Sequence, residues 1–410
     1  MMEYSAMSQV SPDPAGRTGK GVLQFMNFTL NEDQLAFQEV ARKFAREEIA
    51  PTVAADDHAS RFRRDLVKKM AELGFYGCVI PEEYGGSGAG YLAVTVVTEE
   101  IARVSAALRV SFSTQVMGPG LTILKWGNEE QKTKYIPALC DADMLGAFAM
   151  TEPNAGSDVG SMKATAVRHG DEYILNGTKT WISNAQFCDL ALVFAYTDPT
   201  QRPRGMSCFI VESQSPGFSS RPLEDKLGLH GSPTGEIILE DCRIPAGALL
   251  GREGEGFKIC MSMLENTRLS CAAGGLGLAR ACLDAAVAYA NDRQQFGQPV
   301  AKFQMVQEQI ARIVVEEEAA RLLVYRAAVM KDMGLPNNRE TSIAKYAAAQ
   351  AANHAADEAV KILGAYGYSE EYPVARYYRD AKYYQIVEGT SNIQKWIIGQ
   401  DALGIRKANR

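Results

Sequence analysis

Three short segments carry residue types that can do chemistry when the fold brings them together. Glu388 follows the apolar pair Ile386-Val387 and precedes a Gly-Thr turn. In water a glutamate pKa of about 4.3 makes a weak base, but apolar surroundings raise that pKa and suit the group to proton abstraction. Residues 150–158 are rich in hydroxyls and backbone donors, and Trp181 stands near a hydroxyl in residues 179–184. Singly, each segment also fits an ordinary feature: a solvated loop glutamate, a polar loop or a core tryptophan.

Other catalytic signatures are missing from the sequence. It has no G-x-S-x-G nucleophile elbow, no Walker loop and no H-E-x-x-H motif. Its four histidines show no zinc-binding spacing, so we predict no metal site. The pair Gly275-x-Gly277 has Arg280 where a dinucleotide loop needs its third glycine, so it indicates close helix packing instead. The glycine-rich residues 85–90 fail the same pattern and favour a connector.

Composition indicates which partners and which cellular compartment are compatible with the chain. The chain has 410 residues with 43 Lys and Arg against 49 Asp and Glu, a net charge of −6, so no nucleic-acid partner is expected. No run of 18 apolar residues predicts a membrane span. Eight scattered cysteines without paired spacing favour a reduced, cytoplasmic compartment. Residues 1–25 read as a disordered leader, and an alternative start at Met26 would lead directly into a helix in which Thr29 and Glu32 resemble a capping box.

The hydrophobic pattern divides the rest of the chain into three domains. Helical spacing dominates residues 26–145. Short β-branched runs between turn signals in 146–252 predict a small β barrel or sandwich, with Asn176-Gly177 as a hairpin turn. Helical spacing returns in 253–410, where an alanine-rich stretch suits close packing in a bundle.

The order and spacing of the three segments resemble the acyl-CoA dehydrogenase family from Phe28 to about Arg406. Further matching motifs are Arg293-x-x-Phe296-Gly297, Gln304 and Arg376-x-x-Arg379-Asp380-Ala381. The resemblance implies an N-terminal α-helical domain, a middle β domain and a C-terminal four-helix bundle, assembled as a homotetramer. It also implies FAD as cofactor, an acyl-CoA as substrate and electron-transfer flavoprotein as the electron acceptor.

Residue roles follow from the same resemblance. Glu388, in the Glu-Gly-Thr motif, is the implied catalytic base; some members place the base at the position of Thr267, which cannot do that work. The implied FAD contacts are Phe148, Met150, Thr151, Gly156, Ser157, Trp181, Ser183, Lys361, Gly364, Ala365, Thr390 and Asn392. Arg293, Phe296 and Gln304 would reach the FAD of a neighbouring subunit. Lys361 and Gly364-Ala365 depart from the family's usual Gln and Gly-Gly. The implied substrate contacts are Arg109, Ser113, Ser157, Glu265, Arg268 and Gly389.

Arg109 carries the substrate prediction. Glutaryl-CoA dehydrogenases have an arginine at this position for the distal carboxylate of the substrate, with a serine matching Ser113 nearby, and a guanidinium fork suits a carboxylate. Decarboxylating members have Tyr before the base and an acid near the arginine, whereas this chain has Val387 and Ala102. The resemblance therefore favours the non-decarboxylating glutaryl-CoA type, with the related benzylsuccinyl-CoA dehydrogenase as the alternative.

Other classes of protein stay open at the level of sequence. Desulfinase-like lyases in the family use a comparable arginine but lack the base, so Glu388 argues against them. An oxidase that passes electrons to oxygen is compatible with the same residues. A flavin-bearing scaffold without activity is disfavoured, because the base, flavin and CoA positions are all occupied.

Overall fold

The computed structural model describes residues 29–409, so the predicted leader 1–25 lies outside the described residues. The N-terminal part is helical, as predicted. Its helices, numbered along the chain, are α1 (Glu32–Phe44), α2 (Val53–His58), α3 (Arg64–Glu72), α4 (Tyr91–Val104), α5 (Ala106–Gln115), α6 (Leu121–Trp126) and α7 (Glu129–Cys140).

The cap of the first helix differs from the prediction. Asn31, not Thr29, precedes the first turn; its side chain accepts a hydrogen bond from the backbone N–H of Gln34, while the Gln34 side chain accepts one from the N–H of Asn31. The capping box therefore lies two residues later than the sequence pattern suggested, because an asparagine followed by glutamine satisfies the same two backbone donors.

The middle part is a single eight-stranded sheet. Its strands are β1 (Gly146–Ala149), β2 (Thr165–His169), β3 (Glu172–Ser183), β4 (Leu190–Tyr196), β5 (Met206–Glu212), β6 (Phe218–Pro222), β7 (Thr234–Pro245) and β8 (Leu249–Leu250). The spatial order is β6-β7-β3-β2-β4-β5-β8, and β1 pairs in parallel with β4. All seven residues of β4 are buried because the strand is central, which explains its continuous apolar sequence.

The predicted hairpin at Asn176-Gly177 is wrong. Strand β3 runs through both residues, and its pairing with β7 shifts register there. Gly177 has φ +147°, and a Cβ on it would lie 2.7 Å from the Cβ of Ala164. Asn176 exchanges hydrogen bonds with Asp241 of β7, so its amide holds an irregularity within the sheet instead of a turn.

The C-terminal part is a helical bundle. Its long helices are α8 (Gly256–Asp292), α9 (Gln304–Asp332) and α10 (Asn338–Leu363), followed by α11 (Pro373–Ala381) and α12 (Ser391–Ala402). Between α8 and α9, the chain forms a small two-stranded ribbon of β9 (Gln294–Gln295) and β10 (Gln298–Pro299).

Helix α8 connects the bundle to the N-terminal helices. It packs on α10, α4 and α9. A Cβ on Gly277 would lie 2.3 Å from the carbonyl oxygen of Glu99 in α4, so glycine allows the close helix packing predicted from the glycine pair. By length and composition α8 could cross a membrane, but 72% of its most apolar window is buried inside the protein, as in a core helix.

Candidate active site

One large cavity of about 1450 Å³ lies where the sheet meets the bundle. Its walls come from the end of β1 and the loop after it, from β3, from α8 and from the segment before α12. The volume exceeds the roughly 300–1,000 Å³ of an ordinary ligand pocket, so two elongated molecules can share it. Among residues 29–409, no group of three or more His, Cys, Asp or Glu side chains is placed to hold a metal ion.

A buried ion pair supports the loop that follows β1. Lys179 on β3 is 0% exposed, and its ammonium donates to the Glu152 carboxylate at 2.8 Å. The same carboxylate accepts the backbone N–H groups of Lys163 and Ala164. Burial alone would raise the pKa of Glu152, but the Lys179 charge and these hydrogen bonds lower it. The loop that presents Thr151 to the cavity is thus fixed at both of its ends.

The end of β3 adopts a backbone conformation that exposes an aromatic ring. Trp181 has φ +60° and its side chain is 62% exposed on the cavity wall. Asn184 has φ +66° and is fully buried; it donates to the carbonyl of Gly146 at 3.0 Å and accepts from Ser111 at 2.8 Å. Left-handed non-glycine residues are strained and occur where the surroundings impose them. Here they hold an indole face beside the hydroxyl of Ser183.

The loop before α12 holds Glu388 in a similarly constrained conformation. Glu388 has φ +56° and Gly389 has φ +79°. The Gly389 carbonyl accepts the buried ammonium of Lys345 at 2.8 Å, and Gln394 donates to the carbonyls of both residues. Arg268 of α8 also donates to the Glu388 carbonyl at 3.3 Å. The backbone N–H of Glu388, in contrast, donates to none of the described residues.

Opposing effects act on the pKa of the Glu388 carboxylate. Burial raises its pKa, while the hydroxyl of Thr267 and the charges of Arg268, Lys345 and Arg109 oppose that rise. The net pKa is above the ordinary glutamate value. Thr267 Oγ1 donates a short hydrogen bond to Glu388 Oε2. A carboxylate with a raised pKa at a cavity wall is a competent general base.

Arg109 lies behind the cavity wall, on α5. Its side chain is 2% exposed, and its Nε and Nη2 atoms hydrogen-bond to none of the described residues. The guanidinium carbon is 5.0 Å from the ring centre of Tyr384 and 5.7 Å from that of Tyr383. The neighbours with the largest electrostatic influence on it are these tyrosines and Cys271, none of them a carboxylate. Arg109 is therefore a buried cation without an anionic partner.

The cavity gathers most of the residues named from the sequence. Those lining it are Phe148, Met150, Thr151, Gly156, Ser157, Trp181, Ser183, Glu265, Arg268, Glu388, Gly389 and Thr390. Ser113, one turn after Arg109, is buried and accepts a hydrogen bond from Ser270 at 2.6 Å. Asn392 is exposed on the first turn of α12 and does not line the cavity.

Six predicted flavin contacts lie on the bundle, outside the cavity of their own chain: Arg293, Phe296, Gln304, Lys361, Gly364 and Ala365. Phe296 is 93% exposed, and Arg293 stacks 5.5 Å from the ring of Tyr366. Lys361 already forms ion pairs with Asp357 and Glu358. The role of these six residues in FAD binding, and the reach of Arg293, Phe296 and Gln304 to a neighbouring subunit, stay predictions.

Sequence reasoning missed the residues that hold the site from behind. Lys345, Gln394 and Asn184 position backbone groups, and Thr267 bonds the Glu388 carboxylate instead of only marking an alternative base position. For Lys345 the sequence did offer a signal, because a lysine within the alanine-rich α10 indicates a buried charge that needs a partner. Except for Gln394, which bonds Glu388 six residues away, these residues bond partners 38 to 121 residues away, which no local pattern shows.

Three family models match successive parts of the chain. They are the N-terminal domain of acyl-CoA dehydrogenase at residues 31–143, its middle domain at 147–242 and its C-terminal domain at 254–403. The chain belongs to the acyl-CoA dehydrogenase family. This confirms the predicted three-domain fold and the predicted class of enzyme.

Individual acyl-CoA dehydrogenases match nearly the whole chain. Glutaryl-CoA dehydrogenase of Desulfococcus multivorans is 51% identical over 94% of this chain and 100% of its own. A solved glutaryl-CoA dehydrogenase with bound glutaryl-CoA has a TM-score of 0.92 and 51% identity, over 94% of this chain and 98% of that one. A Mycobacterium smegmatis glutaryl-CoA dehydrogenase with FADH2 has a TM-score of 0.88 and 31% identity, over 93% and 97%.

FAD is the cofactor of this acyl-CoA dehydrogenase, as predicted. The cavity fits that group in its donor chemistry. An exposed indole face can cover a flat ring, and the hydroxyls of Thr151, Ser157 and Ser183 can meet polar ring edges. All eight cysteines are buried, unpaired thiols and take no part in the cavity.

Proposed function

We propose that this acyl-CoA dehydrogenase oxidises the Cα–Cβ bond of an acyl-CoA that carries a distal carboxylate. The proposed reaction converts glutaryl-CoA to glutaconyl-CoA without releasing carbon dioxide, with electron-transfer flavoprotein as the acceptor. The observation that carries the substrate class is Arg109, whose Nε–Nη2 edge is buried and unpaired in the described chain.

A buried, uncompensated guanidinium is costly unless a ligand supplies its counter-charge. Desolvating a charge costs several kcal/mol, and one planar edge of a guanidinium can donate two parallel hydrogen bonds to a carboxylate. A Cβ on Gly274 would lie 2.5 Å from Arg109 Nε, so glycine at this position allows the guanidinium to pack directly against α8. The similarity to glutaryl-CoA dehydrogenases supports the same substrate class.

Glu388 is the proposed catalytic base. Its carboxylate takes the proton from Cα, the hydrogen on Cβ leaves as hydride, and a Cα–Cβ double bond forms between them. FAD, when bound, supplies the acceptor for that hydride. The raised pKa of Glu388 increases its affinity for the α proton. We propose that its backbone N–H, which donates to none of the described residues, donates to the thioester oxygen, which gains negative charge as the proton leaves.

The region around Arg109 and Glu388, which we call the acyl end of the cavity, also supports retention of the carboxylate. Losing carbon dioxide would move negative charge from the carboxylate beside Arg109 into the acyl chain, away from the buried cation. The residue before the base, Val387, lines the cavity and has no proton to donate to the resulting carbanion. Ala102 is buried against Gly277 and adds no acid to this region.

The remaining contacts are proposed from their positions. Phe148, Met150, Thr151, Trp181, Ser183 and Thr390 would hold the flavin, while Glu265 and Arg268 would flank the CoA arm near Gly156, Ser157 and Gly389. We further propose a homotetramer, in which the exposed Phe296 and its neighbours reach the cofactor of another subunit, and a cytoplasmic location.

Anaerobic mixing with a panel of thioesters tests the proposal. We expect glutaryl-CoA to bleach the flavin absorbance rapidly, and pentanoyl-CoA, which has the same chain length without the carboxylate, to do so slowly. Mass spectrometry should then find glutaconyl-CoA. A crotonyl-CoA product would contradict the retention of the carboxylate, and faster reduction by benzylsuccinyl-CoA would transfer the assignment to that substrate. Equal rates with pentanoyl-CoA would refute the role of Arg109.

A further inference from the structure

The chain turns back after α12, and the segment 403–409 returns to the cavity. Gly404 has φ +69° at this turn, and the backbone N–H groups of the two residues after it donate to the carbonyl of Gln400. Arg406 and Lys407 then line the cavity. Two exposed cationic side chains therefore stand on the cavity wall, although neither was among the contacts predicted from the sequence.

Hydrogen bonds hold this basic segment beside α8. The N–H of Ala408 donates to the Asp401 carboxylate at 2.8 Å, and the Ala408 carbonyl accepts from the Asn338 side chain at 3.3 Å. The side-chain oxygen of Asn338 in turn accepts from Arg268 at 3.3 Å, and both of these residues line the cavity. One side chain therefore joins the basic segment to the arginine that we propose to flank the CoA arm.

Helix α12 sets the distance between the basic segment and the base. One face of the helix lines the cavity, with Ile393, Trp396, Ile397 and Gln400 at helical spacing. The helix begins three residues after Glu388 and has 12 residues, which is a length of about 18 Å. The pantetheine arm of CoA separates the thioester from the phosphate groups by a comparable length. An acyl-CoA with its thioester at Glu388 can therefore reach the basic segment with its phosphates.

We propose that Arg406 and Lys407 bind the phosphate groups of the CoA moiety. This inference rests on the proposed function only in taking an acyl-CoA as the substrate. A guanidinium donates two parallel hydrogen bonds to a phosphate, and an ammonium binds it as a point charge. FAD also carries a phosphorylated adenosine, so the shared chemistry is an adenine nucleotide. The bond from Asn338 to Arg268 favours CoA as its source.

A substrate without the phosphates tests the proposal. The double variant Arg406→Gln with Lys407→Gln is compared with wild type on the CoA thioester and the pantetheine thioester of one acyl group. In the holoenzyme, kcat/KM for the CoA thioester should fall at least about tenfold, mainly through KM, because hydrogen bonds to charged groups are lost. For the pantetheine thioester it should stay within about twofold. Lys395→Gln, which removes an exposed cation of α12 that does not line the cavity, should leave both values unchanged.

The ratio between the two thioesters decides the outcome. Both values come from one preparation, so a partly unfolded fraction cancels. An unchanged ratio in the double variant would overturn the proposal. Equal losses on both thioesters with a lower FAD content would also overturn it and assign the two cations to the phosphates of FAD.

Salt dependence and the choice of acyl group complete the test. Raising the ionic strength should lower kcat/KM for the CoA thioester more in wild type than in the double variant, because salt screens exposed charges. The acyl group is the one that the enzyme oxidises fastest, so the ratio does not depend on glutaryl-CoA. If a distal carboxylate is not preferred but the ratio still changes, the proposed substrate is wrong and the phosphate site stands.

Discussion

The support of the loop after β1, which we call the loop end, and the acyl end around Arg109 and Glu388 compensate buried charge in opposite ways. Under the loop after β1, Lys179 is completely buried, and Glu152 and two backbone donors neutralise and satisfy the pair. At the acyl end, Arg109 is equally buried but has no carboxylate partner, and the base Glu388 faces the open cavity. The charge of Lys179 is therefore compensated without a ligand, whereas we expect a substrate carboxylate to compensate the charge of Arg109.

This difference separates structural charges from functional ones. A buried cation that the chain pairs with its own anion fixes a loop, whereas a buried cation left unpaired is unfavourable until a substrate anion arrives. The two ends should therefore respond differently to substitution: the loop end in stability, the acyl end in substrate selection and rate.

The largest expected effect is at the base. Glu388→Gln keeps the shape of the side chain but cannot accept the α proton, so flavin reduction by glutaryl-CoA should slow about 10³-fold, or about 4 kcal/mol of barrier. Single-turnover absorbance measures it, with FAD content and melting temperature expected near those of the wild type. Glu388→Asp, which keeps a carboxylate one carbon shorter, should retain part of the rate. Reduction within tenfold of wild type in Glu388→Gln would remove Glu388 as the base.

At the loop end we expect a loss of stability. Lys179→Met leaves the Glu152 carboxylate buried without its cation, which costs about 3 kcal/mol, the lower end for a broken buried pair because two backbone bonds remain. The melting temperature and FAD retention should both fall, while the preference for glutaryl-CoA over pentanoyl-CoA is unchanged. Lys163→Met, in the same loop but with an exposed side chain, is the control. An unaltered melting temperature in Lys179→Met would break the contrast between the two ends.

At the acyl end the pattern should be reversed. Arg109→Met should lower kcat/KM for glutaryl-CoA about 100-fold, or about 2.7 kcal/mol, while leaving pentanoyl-CoA turnover and the melting temperature at or above wild type, because an unpaired buried charge is removed. Arg109→Lys keeps the charge without the planar guanidinium, so its kcat/KM for glutaryl-CoA should lie between those of Arg109→Met and the wild type. A large drop in melting temperature with equal losses on both substrates would make Arg109 a structural residue like Lys179.

The sequence identified several residues of the site and the domain order, but not which buried charges are paired. The Glu-Gly-Thr segment and Arg109 were identified, and the order of helical, β and helical domains was predicted, because hydrophobic periodicity is a local property of the sequence. Asn176-Gly177 was misread as a turn, since the Asp241 that holds Asn176 within the sheet is 65 residues away. Whether a buried charge is paired depends on such distant contacts: nothing local distinguishes Lys179 from Arg109.

The smallest expected effect concerns the tuning of the base. Thr267 donates to the Glu388 carboxylate and stabilises its ionised form, so Thr267→Val should raise the pKa of Glu388 further, by about one unit if the bond is worth about 1.4 kcal/mol. The base acts when ionised, so the acid limb of the kcat/KM profile for glutaryl-CoA should move to higher pH, with activity at high pH retained. Thr267→Ser keeps the hydroxyl and should restore the wild-type limb. If the limb does not move in Thr267→Val, the base is tuned by burial and by the cations around it alone, and the acyl end depends less on its own hydrogen bonds than the loop end does.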